Sequence, residues 1–325
     1  MAAFLVRRIA YGLAILAGIN LVTFLLFFQV NSPDDMARLQ LGGKRVTAAA
    51  IQQWKAERGY DRPSFVNERA GGIDKLTDTV FFDSSVRMFA FDFGRADSGR
   101  DIASEVARRA GPSLALALPV FITGLGLSIT IALGLAFFRG TYLDFWGVTV
   151  LVAMMSISAL FFIVAGQFVL ARVLQLMPIS GFESGADTWR FLLLPVAVSV
   201  VARLGPEARF YRTLFLEEIG RDYVRTARSK GLSEPAVLFR HVLRNALIPI
   251  LTTSVAFIPL LFMGSLITES FFSIPGLGNY LIEAIGAQDF AIVRAMVFIG
   301  SVLYIIGLIL TDISYSWADP RIRLQ

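Results

Sequence analysis

Apolar runs long enough to cross a bilayer alternate with polar connectors along this 325-residue chain. A helix needs about 20 apolar residues to cross a hydrocarbon core of about 30 Å. Six stretches meet that demand: 9–30, 113–138, 145–170, 191–208, 247–268 and 292–313. The fourth is the least regular, interrupted by Pro195 and carrying Arg203 near its end. The 9–30 stretch follows Arg7-Arg8, exceeds the apolar region of a cleaved signal and lacks a small-residue cleavage site, so it reads as a retained anchor. The expected architecture is an all-α membrane protein with six transmembrane helices and both termini on one side. Within the second span, Gly126, Thr130 and Gly134 recur every four residues. Such a stripe lets a neighbouring helix approach closely.

Basic residues fix the orientation. With the N-terminus inside, the short inner segments hold Arg7, Arg8, Arg139, the cluster from Arg209 through Arg244, Arg321 and Arg323. The short outer segments then hold Arg172, Arg190 and Arg294. Lys and Arg favour the cytoplasmic side, and long translocated segments are largely exempt. The chain is therefore expected to sit in the cytoplasmic (inner) membrane with both termini in the cytosol. It divides into an anchor (1–30), a small extracytoplasmic domain (31–112) and a five-span core (113–325). The outer domain is mixed in charge, with a helix expected around 47–58 and a turn at Gly59-Tyr60-Asp61-Arg62-Pro63. Ile102, Ala103, Val106 and Ala107 line one face of a helix whose other face holds Arg100, Asp101, Glu105 and Arg108. That helix either lies on the outer membrane surface or buries its apolar face in the loop domain. Gly111-Pro112 is expected to end it before the second span.

The most heavily punctuated connector is EEIGRDYVRTARSKGLSEPAVLFRHVLRNALIPIL, residues 217–251, with six Arg or Lys residues and His241, the only histidine. Residues 216–229 read as a helix with Glu217 and Glu218 early and Arg225 and Arg228 late, as the helix dipole prefers. Gly231 stands where a left-handed C-cap is wanted, a conformation only glycine takes without steric cost. Ser233 suits an N-cap and Glu234-Pro235 a first turn. A second helix follows with Val237, Leu238, Val242 and Leu243 on its apolar side, and Pro249 falls just inside the fifth span. Two short helices meeting in a rigid elbow make a docking surface for a cytoplasmic partner.

The run DYVRTARSKGLSEPAVLFRHVLRNALIP resembles the ATPase-coupling motif of binding-protein-dependent ABC importer permeases, in their peptide branch. Ala227, Gly231, His241, Asn245 and Pro249 stand in the expected order. The likeness covers nearly the whole chain, through FLVRRIAYGL, ERGYDRP, FESGADTWRFLLLPVAV, ESFFSIPGLGNYLIEAI and DISYSWADPRIR. It is nearest to the first of the two permeases in dipeptide, oligopeptide and nickel importers. The third span departs, with MMSISALFFIVAG where dipeptide permeases commonly carry a Pro-Ser-Phe-Trp-like stretch. The resemblance implies the six-helix fold of type I ABC importer permeases, with a coupling loop over 209–246. It implies ATPase coupling through Glu217, Asp222, Tyr223, Thr226, Ala227, Gly231, His241 and Asn245. It places binding-protein docking or an outer gate at Glu269, Pro275, Gly276 and Gly278. The implied partners are a second homologous permease, two ABC ATPase subunits, an extracytoplasmic substrate-binding protein and membrane lipid. The implied cargo is a peptide, with nickel or another small solute as the alternative.

Composition narrows the chemistry further. At 55% hydrophobic and 17% charged residues the chain is too apolar for an ordinary soluble domain. Cysteine is absent, which excludes disulfides, thiolate metal sites and cysteine nucleophiles. No GxxxxGK[ST] run exists, Gly42-Gly43-Lys44 being a loop fragment, so ATP is expected to act on partner subunits and no cofactor on this chain. His241 has no ligand or catalytic partner at suitable spacing; no catalytic or metal site is expected, and no nucleic-acid binding. An ion-coupled secondary transporter is the main rival, and it should carry intramembrane acids or broken helices near the midplane. The spans offer mainly Asn20, Thr23, Ser156, Ser158, Gln167 and Ser199. Glu269, at the outer end of the fifth span, reads as structural or gating rather than as a proton relay. A membrane enzyme would need an HExxH, serine–base or paired-carboxylate arrangement, which the sequence lacks.

Overall fold

The computed structural model describes residues 2–42 and 46–318. Gly43-Lys44, Arg321, Arg323 and the end of the DISYSWADPRIR run lie outside the described residues. In chain order the helices are α1 (Ala2–Leu25), α2 (Pro33–Gln40), α3 (Ala48–Arg58), α4 (Asp74–Thr77), α5 (Ile102–Phe137), α6 (Tyr142–Met155) and α7 (Ala159–Gly166). They continue as α8 (Thr188–Ile219), α9 (Asp222–Ser229), α10 (Glu234–Val237), α11 (Arg244–Val255), α12 (Leu266–Phe271), α13 (Leu277–Ala287) and α14 (Phe290–Ala318). Among the described residues the only extended pairing outside helices is a single bridge between Arg95 and Asp101. The fold is all-α, as the hydrophobic pattern requires.

Among the described residues, five helical segments are long and apolar enough to cross a membrane: Val6–Val30, Ile102–Phe137, Thr188–Ile219, Glu234–Phe271 and Phe290–Ser314. The expected third span, 145–170, is not straight. Tyr142–Met155 and Ala159–Val173 meet at 95°. Ser158 is extended at the corner, and its hydroxyl accepts the amide of Leu160, so a new helix is capped where the old one stops.

Four further expectations are corrected. Gly111-Pro112 does not end a helix; α5 runs through Pro112 and Pro119, and the amphipathic 102–108 segment forms its first turns. Asp101 starts it by accepting the Ser104 amide at 2.8 Å, and Ile102 is fully buried. The expected 216–229 helix is interrupted, because α8 ends at Ile219 and Arg221 is extended before α9. The second elbow helix is not short: α10 passes through π turns at Leu238–Leu243 into α11. The fifth span is itself broken, with α11 stopping at Val255, a 3-10 turn at Pro259–Met263 and Gly264 at φ +71° before α12.

The chain divides into two compact units. One comprises the chain up to Arg109 together with Tyr280–Ile309. Its core is aromatic: Phe24 and Phe28, at the end of the first span, sit among Met36, Ile51, Trp54 and Val80. Phe24 stacks on Phe28 at 4.8 Å and meets Phe81 edge-on at 5.0 Å. Thr47 caps α3, Gly59 ends it at φ +68°, and Arg58 lies 4.4 Å over the Trp54 ring. The 47–58 helix and its glycine turn thus form where the sequence placed them.

The other unit comprises Ala110–Asn279 and the chain from Leu310. Here α6 packs along α8 so closely that a Cβ on Gly205 would lie 2.8 Å from the Leu151 carbonyl oxygen. Arg212 locks the same pair by a two-pronged bond to the buried Asp144, at 2.9 and 2.7 Å. The small-residue stripe of α5 that packs internally is not the expected one. Gly126 and Gly134 have open space where a side chain would stand. Ser128 and Ala132 are fully buried instead, with Gly124 on the same row approaching Val200 and Glu207. Two positions along a helix amount to about 200° of rotation, so the packed stripe lies on nearly the opposite face.

Candidate functional site

The elbow begins where α8 stops. Arg221 turns the chain and α9 carries Val224 and Ala227 inward, both buried. Lys230 and Gly231 end α9, and Gly231 adopts φ +78° with nothing within 4 Å of where its Cβ would be. The left-handed turn is therefore a backbone requirement and not a packing one. Across it Arg228 grips Glu234 with two bonds, Nε to Oε1 at 2.7 Å and Nη2 to Oε2 at 3.1 Å. That carboxylate holds the Arg228 guanidinium above its ordinary pKa.

Val224, Ala227, Val237, Leu238 and Val242 join one core with Ala132, Leu133 and Ala136 of α5 and Tyr211, Phe215 and Ile219 of α8. Val237 and Leu238 thus face the protein interior. The outward side of the elbow carries Glu217, Asp222, Tyr223, Thr226 and Gly231, all exposed, with His241 and Asn245 half-buried and Ala227 buried. It also carries Leu232 and Phe239, the latter 61% exposed, which sequence reasoning passed over. For Phe239 the signal was available: it is a large apolar residue at an off-phase position of the 237–243 apolar pattern. The Tyr223 hydroxyl donates to Glu218, so one side chain ties α9 to the end of α8. Burial and the Glu218 carboxylate push that hydroxyl above its usual pKa.

A second constellation surrounds the break in the fifth span. Glu269 is fully buried. Its Oε1 accepts Ser113 Oγ at 2.8 Å and the Ser265 amide at 3.1 Å, while Oε2 accepts the Asn279 amide at 3.1 Å. Ser113 Oγ in turn accepts the Leu277 amide at 2.8 Å. A Cβ on Gly264 would collide with Glu269, and one on Gly276 would lie 2.5 Å from Ser113 Oγ. One carboxylate thus staples both ends of the 264–279 segment to α5, and glycines make room for it. Gly276 and Gly278 are buried and Pro275 is exposed. Phe272 and Ile274 enter a core with Leu116, Ile163 and Val198.

Sequence reasoning met Arg203 only as an irregularity of the fourth span and missed Glu207, with which it forms an i,i+4 ion pair at 2.7 Å within α8. Glu207 accepts Ser128 Oγ at 3.2 Å and so faces the packed row of α5 described above. Two cavities of about 300 and 320 Å³ share Val120, Arg203 and Phe257, and Glu207 lines the smaller of them. Two ionisable residues one turn apart inside an apolar run were the available signal.

Residues 124–324 match the binding-protein-dependent transport system inner membrane component family, and residues 1–69 match its membrane component N-terminal model. The chain belongs to this family. Among curated relatives, a Brucella abortus (strain 2308) protein named for a peptide transport system permease is 30% identical over 329 residues, covering 99% of both chains. The glutathione transport system permease protein GsiC of Salmonella typhimurium is 29% identical over 315 residues, 96% of this chain and 97% of the relative. The chain is accordingly an ABC importer permease of the peptide type, a multi-pass inner membrane protein. Family membership removes the ion-coupled rival, although two of its helices are broken.

Proposed function

We propose that this chain forms half of the translocation pathway of an ATP-driven peptide importer, with a homologous permease as the other half. The elbow of α9, Gly231 and α10 seats in a groove on one of two cytoplasmic ATPases. The N- and C-termini then lie in the cytosol and 31–112 outside, where a substrate-binding protein delivers cargo. Relatives named for peptide and glutathione transport support a short peptide as that cargo. This chain binds no cofactor; ATP acts on the partner subunits.

The observation that carries the reading is the two-sidedness of the elbow. Its inner face is continuous with the α5–α8 core, while Asp222, Tyr223, Thr226, Leu232 and Phe239 are exposed on its outer face. A lever needs both: one face to be moved, one to move the spans. ATPase closure displaces α9, the shared core rotates with it, and differential stability of two arrangements supplies the coupling. The broken spans and the Glu269 staple give the outer gate its pivot, and Pro275 remains exposed for the binding protein.

Gly231 provides the test. A non-glycine residue at φ +78° costs about 1–2 kcal/mol, too little to prevent insertion of the apolar spans. Gly231→Val should reach normal membrane levels, lose ATPase association or coupled transport, and be partly rescued by Gly231→Asn, which tolerates the left-handed region. A Gly231→Val chain that co-purifies with its ATPases and transports at full rate would reduce the elbow to a charged tether.

A further inference from the structure

A polar cavity of about 450 Å³ opens in the unit that contains α3 and the start of α14. Arg58, Tyr60, Arg62, Arg95, Asp97 and Arg294 contribute to its wall. Its volume suits a small ligand. Most of its charges are already committed. Arg58 holds Asp97 at 2.7 Å, Arg62 holds Asp78 at 3.2 Å and Asp83, and Arg87 holds Asp92 at 3.1 Å.

Arg294 is different. It is 95% buried by the complement of its 5% exposure, yet among the described residues no carboxylate pairs with it. Its donors reach neutral acceptors only, at the long end of the range: the Phe290 carbonyl at 3.3 Å, the Tyr60 hydroxyl at 3.4 Å and the Ser84 carbonyl at 3.5 Å. One face lies 4.7 Å over the Phe28 ring. The nearest acid on its own chain segment, Asp289, is spent on the Asp97 amide at 2.7 Å and the Ile292 amide at 3.2 Å. A guanidinium cannot shed its proton, so a buried one without an anion carries an uncompensated desolvation cost. Arg95, exposed on the same wall, also has no carboxylate partner among the described residues. On the rim Glu57 accepts only from Gln53, at 3.0 Å.

We propose that this cavity binds the terminal carboxylate of a short peptide, with Arg294 as its buried anchor. Guanidinium and carboxylate match as a planar two-pronged pair. Arg95 adds a second positive charge at the entrance, and Glu57 offers a partner for the peptide's ammonium group. The site is a waiting position on the permease itself, separate from the cavities beside Arg203 and Glu207. Its peptide ligand rests on the peptide reading of the cargo given above.

The test needs no ATP and no binding protein, so its outcome is independent of the elbow experiment. The full chain, in nanodiscs with whatever subunits co-purify, is titrated calorimetrically with tri-alanine and with tri-alanine amide. The free acid should bind saturably and the amide at least ten-fold more weakly. Arg294→Gln should lose the same factor for the acid and lose the discrimination between acid and amide; Arg95→Gln should weaken the acid only a few-fold. Acid and amide binding within three-fold of each other on the unmodified chain, or no binding of the acid at all, would overturn the proposal without touching the transport reading.

Discussion

Replacing Glu269 by glutamine tests the outer staple with almost no change of shape. In the native chain both carboxylate oxygens accept, Oε1 from Ser113 and Ser265 and Oε2 from Asn279. Glutamine keeps one oxygen and puts an NH₂ group in place of the other. Whichever way the amide is turned, an N–H faces a backbone N–H, and at least one buried donor loses its acceptor. A buried unsatisfied donor costs about 1–3 kcal/mol, more where the lost bond was charge-assisted. Removing a buried charge offsets part of this, so about 2 kcal/mol of net destabilisation is expected, localised at the 264–279 segment. Ser113→Ala should cost a similar amount, because it strands the Leu277 amide as well. The double variant should fall short of the sum, since both singles cut the same network. Thermal unfolding of the detergent-purified chain measures stability, and protease accessibility at Phe271–Pro275 measures local opening. If Glu269→Gln melts with the wild type and the two substitutions add, the carboxylate is not a staple.

Other positions make independent predictions. Gly205→Ala places a Cβ 2.8 Å from a backbone oxygen of α6, which should cost about 1–3 kcal/mol; a lower melting temperature with retained membrane insertion is expected. Burial, with Asp97 beside it, pushes the Asp289 carboxyl above its usual pKa, so the folded state holds that proton more tightly than the unfolded chain. Its contribution to stability is then full at low pH and lost as pH rises through the raised value; the melting temperature of wild type relative to Asp289→Asn should rise as pH is lowered from about 7 to 4. Because cysteine is absent, Glu68→Cys and Ser233→Cys report orientation cleanly, and an impermeant maleimide should label them from opposite sides of the membrane.

What the sequence disclosed and what it hid follow from the same rule. Apolar runs and glycine turns are local signals: the spans, the α3 helix with Gly59, and Gly231 at φ +78° all appear where periodicity and backbone sterics put them. The corner at Ser156-Ile157-Ser158 was hidden because it contains neither glycine nor proline, and a serine N-cap inside an apolar run looks like tolerated polarity. Gly111-Pro112 failed in the opposite sense. The proline penalty is local, but α5 is held on both sides by tertiary contacts, Ile102 buried before it and Ser113 hydrogen-bonded after it. The α5 stripe that packs within the chain has the same origin, for spacing identifies small residues but not the face an internal neighbour will take. Glu269 stood out as an intramembrane acid, yet its bonding set draws on residues more than 150 positions apart, and no local pattern encodes that.

The broken connection between α8 and α9 has a mechanical consequence. Ile219, Phe215 and Tyr211 are buried at four-residue intervals and share the elbow's core. Continuing the same ridge toward the N-terminus of α8 leads to Glu207, which lines one cavity, and then to Arg203, which lines both. At about 1.5 Å per residue, this ridge carries a side-chain path of about 24 Å from the elbow to the cavity wall. Tyr211 belongs to both ends, lining one cavity while packing in the elbow's core. Had α8 continued into α9 as one rod, a push on the elbow would be spent tilting a single long helix. With Gly220 and Arg221 as a joint, α9 can move as a separate piece, and it acts on the ridge through the packed contacts of Val224 and Ala227. Close-packed side chains transmit displacement because they have so little free volume to absorb it.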